Sequence, residues 1–278
     1  MVSEPGAGPV GRLRAGVLVP FEAIEGEWAR VETPCALSRW MRLDEAVRLA
    51  SAQVVLDPGH GGGETGAVGP GGLQEKDVNL QVASRAARVL NGRGVPTVLT
   101  REQDYRATLA FRAAFAEVAD SEVFVSIHHN ADPDGPMERP GTETYYQYRS
   151  TESKRLAGLI HEETVDRLSG LSAEWVGDTD AGAKWRLNSR GTDYYGLLRL
   201  TAQAGVPSVL AELSFISNSA EEELLRREDV IDLEAQAVAG GVLRYLDTED
   251  PGSGFSTPYP RRQPAGPGGG TSGCTDPD

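Results

Sequence analysis

Short apolar runs alternate along the chain with longer stretches in which apolar residues recur every three or four positions, so strands and helices alternate. Val54, Val55 and Leu56 form a short buried strand that Pro58 and Gly59 stop, leaving His60 at its end. A loop over 61–74 follows, with seven glycines. A helix then opens at Glu75, carries Val78, Val82, Ala83, Ala86, Val89 and Leu90 at helical spacing, and ends at Gly92 and Gly94. Residues 95–100 predict a strand, and 108–119 a helix anchored by Leu109, Phe111, Phe115 and Val118. Residues 122–128 carry a nearly continuous apolar run, which suits a strand covered on both faces, and end in His128-His129-Asn130. Further strands are predicted at 142–147 and 207–212, and further helices at 150–169, 197–204, 220–227 and 230–246, with 172–192 irregular.

This order predicts an α/β fold: a three-layer sandwich with a mixed, mostly parallel sheet flanked by helices, plus a small β-rich N-terminal segment. The main domain is expected over 52–248, joined by a short helix or linker at 43–50. Residues 1–12 and the Pro/Gly/Ser/Thr-rich tail 249–278 are expected to be disordered. Residues 13–43 predict strands at 15–20 and 28–32. Gly26 to Cys35 followed by Trp40-Met41 resembles the end of a bacterial SH3-like module whose first strands are missing. A strand pair packed on the main domain fits that segment equally well.

Composition narrows the partners. The net charge is -14, which disfavours nucleic acid, because phosphate binding needs a basic face, and also disfavours an anionic membrane surface. There is no apolar run of membrane-spanning length. Cys35 and Cys274 lie in the two flanking regions, and no disulfide framework is indicated. The first residues, Met1 to Gly6, show neither a basic nor an apolar signal region.

The chemistry sits at strand ends. Three predicted strands end in His60, His128 and Glu212, and Glu75 opens a helix after the glycine-rich loop. Parallel strand ends share one edge of an α/β sheet, so residues distant in sequence converge there. Two histidines and a carboxylate form a catalytic zinc set with a fourth position open to water, and a further carboxylate can act as general base. His129 faces away from His128 in a strand and is expected to support or pack, and His161, mid-helix, is expected at the surface. Asp57 and Glu64 are expected to be turn and loop residues.

Four segments carry a family resemblance: Leu56-Asp57-Pro58-Gly59-His60-Gly61-Gly62, Gly72-Leu73-Gln74-Glu75-Lys76-Asp77, Ser126-Ile127-His128-His129-Asn130-Ala131, and Ala211-Glu212-Leu213-Ser214-Phe215-Ile216-Ser217-Asn218. In this order they resemble the zinc-dependent N-acetylmuramoyl-L-alanine amidases of the type 3 family over about 53–246. The resemblance implies Zn²⁺ held by His60, Glu75 and His128, catalysis by Glu212, and hydrolysis of the amide between N-acetylmuramic acid and L-alanine in peptidoglycan. Arg190 and Asn130 are candidates for contact with the acidic stem peptide. The sequence departs from the family at Glu64 to Ala67, and at Ser214, where a glycine is usual. An open groove is expected, since the insertion between Asp132 and Ser150 is short. The resemblance implies a monomer acting outside the cytoplasm, and the missing signal suggests a start downstream of the original one. A non-catalytic intracellular regulator with the same fold is the competing expectation.

Overall fold

The computed structural model describes residues 1–45, 51–131, 141–171, 182–258 and 270–278. Strands β1 (Phe21–Glu25), β2 (Trp28–Glu32) and β3 (Ser38–Arg42) form a small antiparallel sheet. The main sheet contains β4 (Val54–Pro58), β5 (Thr97–Leu99), β6 (Val123–Asn130), β7 (Glu143–Tyr146), β8 (Gly182–Lys184) and β9 (Ser208–Phe215), in the order β5-β4-β6-β9-β7-β8. Of its pairings, β7 with β9 is antiparallel and the others are parallel, so the sheet is mixed and mostly parallel. The helices are α1 (Glu75–Gly92), α2 (Leu109–Val118), α3 (Thr151–Leu168), α4 (Gly196–Gln203), α5 (Ser219–Leu225) and α6 (Glu228–Asp247).

Two-residue alternation along the strands builds both layers and aims the chemistry. Val54, Leu56, Val125, Ile127, Val209 and Ala211 pack with the apolar stripes of α1, α3 and α6. Val55 and Phe124 pack instead with Phe111 and Phe115 of α2. Each fully buried Leu or Ile contributes about 1.5–3 kcal/mol, so these two faces carry the domain. Ser126 and His128 continue the face of Phe124, whereas His129 continues the face of Ile127. Local capping sets the helix starts: Thr108 Oγ1 accepts from Phe111 N at 3.2 Å, and Ser150 Oγ accepts from Ser153 N at 3.0 Å.

Several expectations change. Residues 15–20 are not a strand; Val17, Leu18 and Val19 pack beside the Phe111 cluster, and pairing starts at β1. β8 lies in the stretch expected to be irregular, too short to leave a pattern, and 172–181 fall outside the described residues. Leu43–Glu45 make one 3-10 turn, and 46–50 also fall outside. His161 is buried, because the chain beyond α6 lies over its face of α3.

That overlying segment corrects the expected disorder of the tail over 249–258. Ala183 N donates to Gly254 O at 2.8 Å and Ser256 N to Ala183 O at 3.0 Å, extending the sheet past β8. Glycine serves close approach here: a Cβ on Gly254, whose φ is +72°, would stand 2.3 Å from His161 Cδ2. Composition signalled disorder because it does not distinguish a glycine that frees the chain from one that seats it. Residues 259–269 lie outside the described residues.

Cys35 and Cys274 are joined by a disulfide across 239 positions of sequence, against the expectation of no disulfide. Around it Cys35 N donates to Asp276 Oδ1 at 2.9 Å, and Arg106 donates to Ser272 O at 2.6 Å and to Gly270 O at 2.9 Å. At the other end, Val2 N donates to Trp40 O at 2.9 Å and Trp40 N to Val2 O at 3.0 Å, so the first residues also have a seat, on β3. No helix among the described residues is long and apolar enough to cross a membrane.

The disulfide closes a long loop and so restricts the unfolded chain. Replacing both cysteines by serine is expected to destabilise the protein by roughly 2–4 kcal/mol in urea melts, with dithiothreitol doing the same to the parent protein.

Candidate metal centre

His60 stands where β4 ends, in a left-handed conformation with φ 62°. That conformation is costly for a residue with a Cβ, so the turn needs external support. Two buried arginines provide it. Arg112 donates to Pro58 O at 2.7 Å and to His60 O at 2.6 Å; Arg101 donates to Pro58 O at 3.0 Å and to Gly59 O at 2.9 Å. Arg112 also donates to Asp57 Oδ1 at 2.7 Å, and the Thr100 and Ser126 hydroxyls donate to the same carboxylate. Burial works to raise the Asp57 carboxyl, but Arg112 and the two hydroxyls outweigh it and hold it below the usual range. Asp57 is therefore the counter-charge of a clamp, a role that its turn position concealed.

Glu75, at the start of α1, points into the same space. His128 Nδ1 lies 2.9 Å from its Oε1, and His60 Nε2 lies 3.2 Å from its Oε2. Ala67 N donates to Oε2 at 2.8 Å, and His129 N and Asn79 Nδ2 each donate to Oε1 at 3.2 Å. Burial would raise the Glu75 carboxyl, yet the two imidazoles hold it well below its ordinary value, so it is ionised. Burial lowers His128, with Glu75 opposing only in part. For His60 burial also acts downward, but Glu64 at 3.2 Å and Glu75 outweigh it and carry the imidazole up to about 9.

The structure thus brings His60, Glu75 and His128 together, with one donor atom from each lying within 4.8 Å of the others. Zinc bonds of about 2.0–2.2 Å at tetrahedral angles put donors roughly 3.3–3.6 Å apart, so the three side chains draw in on an ion by about 1 Å or more. Two imidazoles and an ionised carboxylate are a donor set that zinc takes with one position left open. Backbone shape supports the same use. A Cβ on Gly59 would stand 2.2 Å from His128 Cε1, and one on Gly66 would stand 2.4 Å from Glu75 Oε2. Only glycine lets these two segments pass so close to the three donors, and the residues present fit a divalent ion.

Glu212 is paired in register with His128 across β6 and β9. Its Oε2 is buried and has no hydrogen-bond partner among the described residues. Burial raises its carboxyl well above the ordinary value, and the charges of Glu75 and Glu143 raise it further. Asn130 donates to Glu143 Oε2 at 2.7 Å and accepts from Ala131 N at 2.8 Å, so its amide is engaged internally. Arg190 is exposed on the 187–193 hairpin, where its backbone N donates to Asn188 Oδ1 at 2.9 Å. The sequence also missed Glu143, which faces Glu212 across β7 and β9 and takes the buried Lys184 at 2.8 Å. The strand-end position of Glu143 was the available signal; β8, which carries Lys184, left none.

The N-acetylmuramoyl-L-alanine amidase family pattern matches residues 54–244. The chain belongs to that amidase family. It is 37% identical over 196 residues to the uncharacterized protein YqiI of Bacillus subtilis, covering 70% of this chain and 84% of that protein. It is 34% identical over 194 residues to the amidase LytC of the same organism, covering 69% of this chain but 35% of LytC. Among solved structures, the amidase AmiC2 of Nostoc punctiforme aligns with a TM-score of 0.58 at 32% identity, covering 71% of this chain and 99% of that one. The amidase match takes in all four of His60, Glu75, His128 and Glu212 and stops short of both cysteines.

Two measurements probe this geometry. His60 has a folded pKa of about 9 against 6.5, so its stabilisation is present in full below pH 6.5 and is lost as pH rises through about 9. Metal-free protein is therefore expected to show a falling urea midpoint over that window, and added zinc to restore more at the alkaline end, where protons no longer compete. A flat midpoint in EDTA would contradict the placement of His60. Separately, Gly59→Ala is expected to displace the His128 ring and bring bound zinc well below that of the parent protein by elemental analysis.

Proposed function

We propose that this protein is a zinc-dependent hydrolase acting outside the cytoplasm, which cleaves the amide joining N-acetylmuramic acid to L-alanine in peptidoglycan. The observation that carries this is the meeting of His60, Glu75 and His128 beside a buried carboxylate oxygen on Glu212 that has no hydrogen-bond partner among the described residues. Family membership supports the amide substrate, since relatives across most of the matched length are N-acetylmuramoyl-L-alanine amidases. The disulfide between Cys35 and Cys274 supports an oxidising compartment. All four side chains come from one chain, which suits a monomer as the working unit.

His60, Glu75 and His128 hold the zinc, which supplies Lewis acidity toward the amide carbonyl and lowers the pKa of a neighbouring water. Glu75 is ionised and engaged by both imidazoles, so it does not serve as the base. Glu212 does. Its buried environment favours a bound proton, so its carboxylate takes one from water as the oxygen adds to the lactyl carbonyl carbon. It then gives that proton to the alanine nitrogen as the C–N bond breaks. The products are a lactyl carboxylic acid and a free alanine amine. Glu143, opposite Glu212, takes hydrogen bonds from Lys184, Asn130 and the Tyr145 hydroxyl, and its charge adds to the burial that raises the proton affinity of Glu212. Arg190, exposed on its hairpin, remains the candidate for contact with stem-peptide carboxylates, and Asn130 acts on the site through Glu143 rather than on the substrate.

Purified sacculi are expected to release stem peptides with new alanine amines, in a reaction stopped by a chelator and restored by zinc. Glu212→Gln is expected to lower kcat by about 10²–10⁴-fold while one zinc per chain is retained. A zinc-loaded parent protein inert on sacculi would overturn the proposal.

A further inference from the structure

Behind Glu75, on the face of the sheet away from Glu212, runs a chain of buried polar side chains. Asn79 lies one helical turn after Glu75 on α1 and donates through Nδ2 to Glu75 Oε1 and to Gly59 O, each at 3.2 Å. Two acceptors on that side fix the amide orientation, so Oδ1 faces His129 Nδ1 at 2.7 Å and the imidazole donates to it. On the far side His129 Nε2 lies 3.0 Å from Glu234 Oε2, on α6. The other oxygen of Glu234 accepts from the Ser214 hydroxyl of β9. The His129 and Glu234 side chains are both fully buried.

Such a chain has a physical cost. Burying a carboxylate is unfavourable even when it is paired, and apolar residues of similar size would stabilise the core at least as well. Polar residues here require a purpose other than stability. The chain ends on a metal-binding carboxylate, and its Gly59 branch ends on the carbonyl before His60. His129 adds a direct contact through its backbone N–H, which also reaches Glu75 Oε1. Ser214 supplies the hydroxyl that completes the far end.

We infer that His129 and Glu234 are positioning residues of the metal centre, holding Asn79 so that the Glu75 carboxylate is presented in one orientation and binds the divalent ion tightly. This rests on the assignment of His60, Glu75 and His128 as metal-holding residues. Hydrogen-bonding partners of metal ligands fix ligand orientation, and removing them weakens metal affinity by about 10–100-fold. The asymmetry between the two adjacent histidines follows: His128 faces the ion, and His129 reaches Glu75 from behind.

Zinc affinity, measured by competition with a chromophoric chelator, tests the inference without reference to turnover. The double variant His129→Phe/Glu234→Leu replaces both partners by apolar groups and leaves no buried charge unpaired. It is expected to fold with a thermal midpoint near that of the parent and to bind zinc about 10–100-fold more weakly. Glu234→Gln keeps an oxygen for His129 Nε2 and is expected to stay within about threefold of the parent affinity. Parent-like affinity in a folded double variant overturns the inference, as does a loss in Glu234→Gln equal to that of the double variant, which would make charge rather than orientation the cause. If the double variant does not fold, Asn79→Leu decides: a loss of about tenfold or more supports the inference, and no loss overturns it. A parent protein that binds no zinc would instead bring down the metal assignment itself, and this inference with it.

Discussion

One carboxylate bears the weight of this structure. Glu75 is almost fully buried, yet it is ionised because two imidazoles and three N–H groups converge on its oxygens. A buried charge of that kind is tolerable only where its surroundings are themselves fixed. Much of the domain near the edge of the sheet is devoted to fixing them. The loop over 61–74 folds back so that Ala67 N reaches Oε2, and Gly59 and Gly66 stay small so that backbone and donors can approach.

Support comes from two sides of the sheet. On the α2 side, Asp57 neutralises a buried guanidinium that, with Arg101, holds the carbonyls of the left-handed turn at His60. On the α1 and α6 side, Glu234, His129 and Asn79 reach the same carboxylate from behind. Two-residue alternation along β6 makes this possible. It sends Ser126 and His128 to one face and His129 to the other, so a single strand serves both supports. On the α2 side Arg112 is paired with Asp57 and Arg101 is held by backbone carbonyls, and on the other side His129 Nε2 meets Glu234 Oε2.

The remaining charges sort by their partners. Glu212 keeps a buried oxygen without a hydrogen bond among the described residues, whereas its neighbour Glu143 is held by Lys184, Asn130 and Tyr145. Two carboxylates facing each other across β7 and β9 thus differ in their surroundings: Glu143 is engaged by Lys184, Asn130 and Tyr145, and burial raises the carboxyl of Glu212. Further out, the chain beyond α6 extends the sheet at β8, and the disulfide ties its last residues to the turn after β2. β8 carries Lys184, so the segment over 249–258 flanks the strand that supplies the ion-pair partner of Glu143.

Local pattern was enough for much of this. Apolar runs of strand length, helical spacing after Glu75, and glycines around His60 placed the sheet, its helices and the polar strand ends before any coordinates. Those signals are legible because hydrophobic periodicity and turn chemistry act over a few residues. Pairing between distant charges leaves no such trace. Asp57 with Arg112, His129 with Glu234, Glu143 with Lys184, and Cys35 with Cys274 are set by which strands lie side by side and how far each side chain reaches across them. Composition also misled in the tail and at His161, because the same glycines and the same helical histidine suit solvent or a packed seam equally, and only the neighbouring chain decides between them.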